Sequence, residues 1–116
     1  VDDALMGVTE VVRGRDLLLS TPQQLHLYRT LGFPEPHFCH HPLLINEKGQ
    51  RLCKRDLSMD IGALLQKHVS PHEIIGFLAF QAGILPAPIP TLPSHLLPLF
   101  HWQKVPMEDI STHSVL

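Results

Sequence analysis

The pattern of apolar and polar positions predicts a strand, a helix and a second strand within the first 46 residues. Residues 8–12 form a short β-branched run of the kind that fills a buried strand. Thr21-Pro22-Gln23-Gln24 predicts a helix that starts in a capping box with Thr21 as N-cap, and Gly32 predicts its end. Residues 37–46 form a second strand-like run, which Pro42 interrupts because proline has no N–H to donate to a strand ladder.

A strand, helix, strand order is typical of a βαβ unit with a parallel sheet, so the predicted fold class of this part is α/β. Ligands of such sheets bind at the carboxyl ends of the strands. Residues 13–16 and 43–46 follow or end the predicted strands. We therefore expect both segments at one rim of the sheet.

The second half of the chain has a helical pattern. Residues 60–68 predict a short helix, and Ser70-Pro71-His72-Glu73 is a capping box that starts an apolar, buried helix ending at Gly83. Prolines recur between residues 84 and 98, in a stretch too apolar for a free linker, so we expect it to pack along the surface. Residues 96–102 predict one or two further helical turns, and the polar tail from Met107 is expected to fray.

Composition and charge limit the classes of protein and partner. The length of 116 residues fits one domain, and a net charge of −2 gives no global basic field, so a polyanion would have to meet a local patch. Two cysteines, Cys39 and Cys53, make no zinc or disulfide framework and favour a reduced, cytoplasmic protein. No apolar run approaches the about 20 residues of a membrane span. The absence of an initiator Met at Val1 predicts a fragment or a truncated chain.

A basic segment at residues 49–56 is the first candidate site. It places Arg51, Lys54 and Arg55 after a glycine turn and after the second predicted strand. Cations and backbone N–H groups at such a position suit a bound polyphosphate. A solvated surface loop is the alternative, because short basic clusters are usually exposed.

Other polar residues at the predicted strand ends allow more than one role. Arg13 could bind a carboxylate or phosphate with a bidentate fork, or form a pair with Asp16 that holds the turn. His40 and His41 point to opposite faces of a strand, which favours structural or phosphate-contacting histidines over a metal site. Cys53 next to two cations leaves a cysteine nucleophile as a weaker alternative.

These motifs, taken together and in this order, resemble the second half of the glutamyl class I aminoacyl-tRNA synthetase core. The resemblance rests on residues 1–3, 7–17 and 21–24, on His40-His41-Pro42-Leu43-Leu44, and on Arg51-Leu52-Cys53-Lys54-Arg55. The last segment stands where the family has its Lys-Met-Ser-Lys-Ser-type loop, with Arg51 in place of the first lysine and Cys53 in place of the serine. The likeness extends over residues 1 to about 85 and fades beyond.

The resemblance implies a fold and a chemistry. Residues 1–57 would be the C-terminal half of a Rossmann-like nucleotide-binding core, and residues 58–116 a helical, stem-contact-like region with the proline-rich stretch and tail. The carboxylate of glutamate would attack the α-phosphate of ATP, whose counter-ion is Mg, and release pyrophosphate. The glutamyl group would then pass to tRNA. The family's His-Ile-Gly-His signature is absent from this chain. The resemblance therefore implies that a missing N-terminal half is a partner and that this segment alone is inactive. It also implies that this segment holds no zinc.

The resemblance also implies roles for individual residues. Lys54 would be catalytic, contacting the phosphates and stabilising the departing pyrophosphate. Arg13 would bind the carboxylate of the amino acid substrate. The implied ATP-binding residues are Asp16, His40, Leu44 through its backbone, Arg51, Lys54 and Arg55.

Two branches of the family and one non-catalytic alternative remain open. One branch charges tRNA and carries an anticodon-binding domain, whereas the shorter branch transfers glutamate to the queuosine base of tRNA(Asp). The amino-acid sequence of residues 1–17 and of residues 100–110 favours the shorter branch. A nucleotide- or RNA-binding remnant without catalytic activity is the alternative from a different class.

Overall fold

The computed structural model describes residues 1–46, 48–52 and 61–111. The chain divides into two compact units, Val1–Pro42 and Leu43–Leu116. The predicted division at residue 57 falls among the residues that are not described, and it stays a prediction.

The described part contains short helices and strands in a mixed order. The α-helices are α1 (Asp2–Leu5), α2 (Thr21–Thr30), α3 (Ile61–Gln66), α4 (Pro71–Gln81) and α5 (Pro93–Leu96). The strands are β1 (Glu10–Gly14), β2 (His37–His41), β3 (Leu44–Ile45) and β4 (Ile110–Ser111). Three 3-10 helices cover Arg15–Ser20, Leu97–Leu99 and Trp102–Lys104. In this part of the chain, no helix is long and apolar enough to cross a membrane.

The first unit is built on a parallel pair of strands joined by a helix. β1 and β2 pair in parallel, from Glu10 opposite His37 to Gly14 opposite His41. The predicted strand, helix, strand order is therefore confirmed, although β1 begins two residues later than residue 8. Gly32 ends α2 with a φ of +70°, which glycine adopts without steric cost, so this prediction is confirmed as well.

The predicted capping role of Thr21 is wrong. Ser20 occupies the N-cap position of α2, and no side chain caps the helix there. The preceding 3-10 helix runs directly into α2, and the Thr21 N–H donates to the Leu18 carbonyl. Because upstream carbonyls already accept the first N–H groups, the Thr21 hydroxyl is released for other partners.

Pro42 divides the second strand-like run, as its missing N–H predicts. β2 ends at His41 and β3 begins at Leu44. β3 pairs in parallel with β4, with Leu44 opposite Ile110, and the Asp109 carboxylate accepts a hydrogen bond of 3.0 Å from the Leu43 N–H. The prediction of a tail frayed from Met107 is therefore wrong for residues 109–111, because backbone pairing with β3 orders them. Residues 112–116 lie outside the described residues.

Helix α4 organises the second unit. Leu64 of α3 and Ile74, Phe77 and Ala79 of α4 are its buried apolar residues. The helix is buried on one face only, since the Leu78 side chain is 43% exposed, so the predicted burial holds in part.

The proline-rich stretch packs on the buried face of α4, as predicted. The Ile89 carbonyl oxygen would lie 2.0 Å from a Cβ atom placed on Gly76. The Thr91 N–H donates to the His72 carbonyl at 3.1 Å. Glycine at position 76 therefore allows a close backbone approach.

The predicted capping box of α4 is confirmed. The Glu73 N–H donates to the Ser70 hydroxyl at 3.3 Å, and the Ser70 N–H donates to the Glu73 carboxylate at 2.7 Å. Hydrogen bonding to the Glu73 carboxyl group by Ser70, through its side chain first and its backbone N–H second, lowers the pKa of Glu73 below its ordinary value of 4.5. The charged carboxylate is thus the form that the folded helix favours.

Replacing Ser70 by alanine should cost about 1 kcal/mol of unfolding free energy, because one helix N–H loses its partner. The Glu73 contribution should be complete above pH 4.5 and fall as the pH drops through the lowered pKa. Chemical denaturation of Ser70→Ala and Glu73→Gln across pH 3–7 measures both effects. Ser94→Ala is the control, since helix α5 has no side-chain cap. Equal stability of Ser70→Ala and the parent would contradict the capping role.

Candidate functional site

Arg13 lies at the centre of a polar cluster in the first unit. The parallel register places Arg13 of β1 opposite His40 of β2, so both side chains lie on the same face of the strand pair. The Arg13 Nε–H donates to His40 Nε2 at 3.2 Å. The Arg13 Nη2 group donates to the Thr21 hydroxyl at 2.8 Å. One guanidinium thus joins two strands and the first turn of α2.

Thr21 completes this cluster from the helix. Its hydroxyl lies 3.1 Å from His40 Nε2 and 3.2 Å from the Leu17 carbonyl, to which it donates. The residue is buried, with 9% of its surface exposed. A hydroxyl has one proton, so donation to Leu17 leaves its lone pairs to accept from Arg13. The bonds that join Arg13, Thr21 and Leu17 therefore run in one direction, from Arg13 through Thr21 to the Leu17 carbonyl, and the same hydroxyl proton cannot also serve the 3.1 Å contact with His40 Nε2.

The surroundings of His40 favour the neutral form of its imidazole. Partial burial lowers its pKa below the ordinary value of 6.5, and the positive charge of Arg13 and then His41 lowers the pKa further. Because a guanidinium only donates, Nε2 must be the unprotonated nitrogen and Nδ1 the protonated one. His40 thus accepts a hydrogen bond from a cation without neutralising its charge.

Arg13 also stacks on an aromatic ring. Its Cζ atom lies 4.5 Å from the centroid of the Phe38 ring, which is two residues before His40 on the same face of β2. The Phe38 and His40 rings are stacked at 6.3 Å between centroids. Cation–π attraction and hydrogen bonds together fix the plane of the guanidinium.

The fixed guanidinium lines a cleft of the first unit. The cleft has a volume of about 240 Å³, enough for a small organic ligand. Its walls are mostly apolar, with the cation of Arg13 and a few polar groups among them. The lining residues are Val1, Asp3, Arg13, Gln24, Leu27, Tyr28, Leu31, Phe33 and Phe38.

A second group of predicted site residues lies in the second unit. Ile45 forms an antiparallel bridge with Arg51, and the Leu52 N–H donates to the Leu44 carbonyl at 3.0 Å. Between them, the Asn46 side chain accepts from the Gln50 N–H at 2.9 Å. The basic segment thus begins as the return arm of a hairpin.

The turn of that hairpin has the predicted glycine. Gly49 has a φ of +71°, the left-handed region in which glycine is favoured. The Gly49 N–H donates to the Asn46 carbonyl at 2.9 Å. Cys53, Lys54 and Arg55, which include the lysine predicted to be catalytic, lie outside the described residues.

The structure thus brings some of the predicted residues together. Arg13 and His40 are in direct contact, and Leu44 and Arg51 lie on the two arms of one hairpin. Asp16 lies exposed on the 3-10 helix that follows β1. In the described ranges, no three His, Cys, Asp or Glu side chains gather as metal ligands.

Thr21 and Phe38 are site residues that the sequence reading missed. Thr21 was expected to cap a helix, which hid its contact with Arg13. The sequence does contain a signal for Phe38. Residues two apart on a strand lie on the same face, and Phe38 lies two residues before His40. Nothing comparable in the sequence marks Thr21, because its contact depends on where α2 crosses the strands.

Residues 1–87 match the family of class I tRNA synthetases (E and Q), catalytic domain. The chain is 46% identical over 110 residues to the glutamyl-Q tRNA(Asp) synthetase of Symbiobacterium thermophilum. That match covers 95% of this chain and 34% of the relative, so the chain spans about a third of its length. It is also 46% identical over 78 residues to glutamate–tRNA ligase 2 of Nitratiruptor sp., covering 67% of this chain and 17% of the ligase.

A solved structure shows the same fold. The chain superposes with a TM-score of 0.74 on a glutamate tRNA ligase from Elizabethkingia meningosepticum, at 22% identity. The match covers 95% of this chain and 26% of that protein. The short strands and helices described above therefore correspond to a part of a larger α/β protein.

Proposed function

Because this chain belongs to the class I tRNA synthetases of the glutamate and glutamine group, we propose that it carries part of a site that activates glutamate with ATP and transfers it to tRNA. The observation that supports this proposal best is the Arg13 guanidinium, fixed by three neighbours at the wall of a cleft. A cation fixed in plane suits a carboxylate, which accepts two parallel hydrogen bonds.

Arg13 is the proposed carboxylate-binding residue for the amino acid. Its Nε and Nη2 atoms bond to His40 and Thr21, so the rest of the guanidinium is presented by a rigid frame. The cleft volume of about 240 Å³ is of the order that an amino acid needs. Apolar walls around the cation lower the local dielectric constant and strengthen its attraction for a carboxylate.

ATP contacts are proposed for residues of each unit. Lys54 is the proposed catalytic residue, which would stabilise the charge that develops on pyrophosphate as the α-phosphate is attacked. Mg would enter with the phosphates of ATP and not through a cage of protein ligands. The further proposed ATP contacts are Asp16, His40, the Leu44 backbone, Arg51 and Arg55.

We further propose that residues 1–57 form the C-terminal half of a Rossmann-like core. Its parallel β1–β2 pair joined by α2 supports this assignment. The remaining strands of the sheet and the rest of the amino acid pocket would then come from an N-terminal half, which is a proposed partner of this chain. The proposed location is the cytoplasm, where ATP, glutamate and tRNA are all present.

The proposed RNA substrate is tRNA(Asp), with glutamate passing to its queuosine base. This choice is supported by the span of the likeness, since the glutamyl-Q tRNA(Asp) synthetase matches 95% of the chain and the glutamate–tRNA ligase 67%. tRNA(Glu) is the alternative substrate.

Glutamate-dependent exchange of pyrophosphate into ATP tests the proposed activation step. The complete gene product should exchange with glutamate and much more slowly with aspartate or glutamine. ATP binding without exchange would contradict the enzyme and favour a nucleotide-binding remnant. Transfer of labelled glutamate to tRNA(Asp) that contains queuosine, and not to tRNA(Asp) lacking it or to tRNA(Glu), would support the proposed acceptor.

A further inference from the structure

The strongest feature beyond the proposed contacts is the way in which Arg13 is held. A free arginine side chain samples many rotamers, and fixing it costs conformational entropy. Here the cost is met before any ligand binds, because two hydrogen bonds and a ring contact already fix the guanidinium. The geometry of the carboxylate-binding atoms therefore depends on the residues behind Arg13.

We propose that Thr21 and His40 are positioning residues that set the affinity for the amino acid substrate by orienting the Arg13 guanidinium. This inference rests on the proposed function, since it assigns Arg13 the substrate carboxylate. Thr21 holds Nη2 at 2.8 Å, and His40 holds Nε at 3.2 Å. Both bonds are donated from the same edge of the guanidinium. They therefore fix its rotation about the side-chain axis and the position of its nitrogen atoms.

Thr21 suits this role because its own position is fixed. It is buried, and its hydroxyl donates to the Leu17 carbonyl, which leaves an acceptor facing Arg13. A valine has the same shape without the acceptor, so Nη2 would keep only its longer contact of 3.5 Å with the Leu17 carbonyl. A serine keeps the acceptor and loses only a methyl group.

His40 suits this role only while it is neutral. Protonated imidazole has no acceptor, so Nε2 could no longer receive the Arg13 Nε–H, and two positive charges would face each other. The folded pKa lies below 6.5, so the neutral form is present above that pH and is lost as the pH falls through the lowered value. Glutamate affinity should therefore weaken on acidification below pH 6.5 while the fold persists.

The groups around His40 come from each element that packs on it. β1 contributes the Arg13 guanidinium, and α2 contributes the uncharged Thr21 hydroxyl. His41, next on β2, adds positive charge. The 3-10 helix contributes the Leu17 carbonyl through Thr21 and also carries Arg15 and Asp16.

Steady-state pyrophosphate exchange by the complete gene product tests this inference. Thr21→Val and His40→Leu should raise the KM for glutamate roughly 3- to 10-fold, the loss expected for one hydrogen bond, with a smaller change in kcat. Thr21→Val should leave the KM for ATP unchanged, since Thr21 is not among the proposed ATP contacts. Thr21→Ser and His40→Gln should keep a KM for glutamate near that of the parent, because each new side chain retains a hydrogen-bond acceptor. Thr30→Val is the matched control, since the Thr30 hydroxyl donates within α2, to the His26 carbonyl at 2.8 Å.

A pH profile gives a readout that a structural role alone would not change. In the parent, the KM for glutamate should rise below pH 6.5, and His40→Gln should remove this rise because glutamine does not titrate in this range. Circular dichroism at each pH shows whether every variant is folded. An active parent whose glutamate KM is unchanged in Thr21→Val and His40→Leu would overturn the positioning role. A parent without exchange would instead overturn the proposed function.

Discussion

Replacing Arg13 by alanine should reduce kcat/KM for glutamate roughly 10- to 150-fold, the range expected when a charged hydrogen-bonding partner is lost. The loss should appear mainly as a higher KM, because the guanidinium is proposed to bind the carboxylate in both ground and transition states. The KM for ATP should change little. Arg13→Lys should recover only part of the loss, since an ammonium group cannot donate from Nε and Nη2 at once to His40 and Thr21.

Arg29→Ala is the matched control for this change. Arg29 also belongs to the first unit and forms a bidentate pair, with its Nη2 atom 3.2 Å from the Glu35 carboxylate. That pair is exposed, with 66% of the Arg29 side chain accessible, so its removal should leave stability and exchange nearly unchanged. If Arg29→Ala reduced kcat/KM as much as Arg13→Ala, the effect would reflect net charge and not the cleft. Unchanged kinetics in a folded Arg13→Ala variant would contradict the carboxylate site.

Replacing Gly76 by alanine should lower the free energy of unfolding by about 1–3 kcal/mol through overpacking. The new Cβ atom would lie 2.0 Å from the Ile89 carbonyl oxygen and 2.6 Å from its carbon. These are backbone atoms, so relief requires the proline-rich stretch to move away and strains the Thr91–His72 hydrogen bond. The clash outweighs the gain of about 1 kcal/mol that alanine brings to a helix over glycine. Thermal unfolding should show a fall in Tm of about 4–8 °C for each kcal/mol.

Gly62→Ala separates the clash from helix propensity. Gly62 is an exposed residue of helix α3. This variant should be as stable as the parent or more stable, because alanine favours helix without a steric conflict. Equal gains in Gly62→Ala and Gly76→Ala would show that the proline-rich stretch does not pack on α4.

Much of the fold could be predicted because its signals are local. The side-chain chemistry of each signal predicts its own element. Residues 8–12 predict a strand, Gly32 predicts the end of α2, and the Ser70 capping box predicts the start of α4. The parallel pairing of β1 and β2 also followed from the sequence, since a strand, helix, strand order leaves few topologies. His40 and Arg13 were both identified as candidate site residues, although nothing in the sequence required their contact.

The errors arise where tertiary contacts override local signals. Thr21 has the spacing of an N-cap, yet the preceding 3-10 helix satisfies the helix N–H groups and the hydroxyl turns to Arg13. Residues 109–111 have the polarity of a frayed tail, yet they pair with β3 across a separation of 66 residues. A sequence window cannot detect such a partner, because its pairing depends on the fold of everything between.

That separation also has a consequence for the order in which the chain folds during synthesis. The antiparallel side of β3 needs only the hairpin that returns at Leu52, a few residues later. Its parallel side needs Asp109 and Ile110, which are made 66 residues after Leu43, roughly 3–13 s later at 5–20 residues per second. β3 therefore gains its pairing partners in two steps. A nascent chain that stops before Asp109 already has every residue of the proposed nucleotide site. In such a chain, the strand that carries Leu44 is paired on its hairpin side and lacks its partner β4.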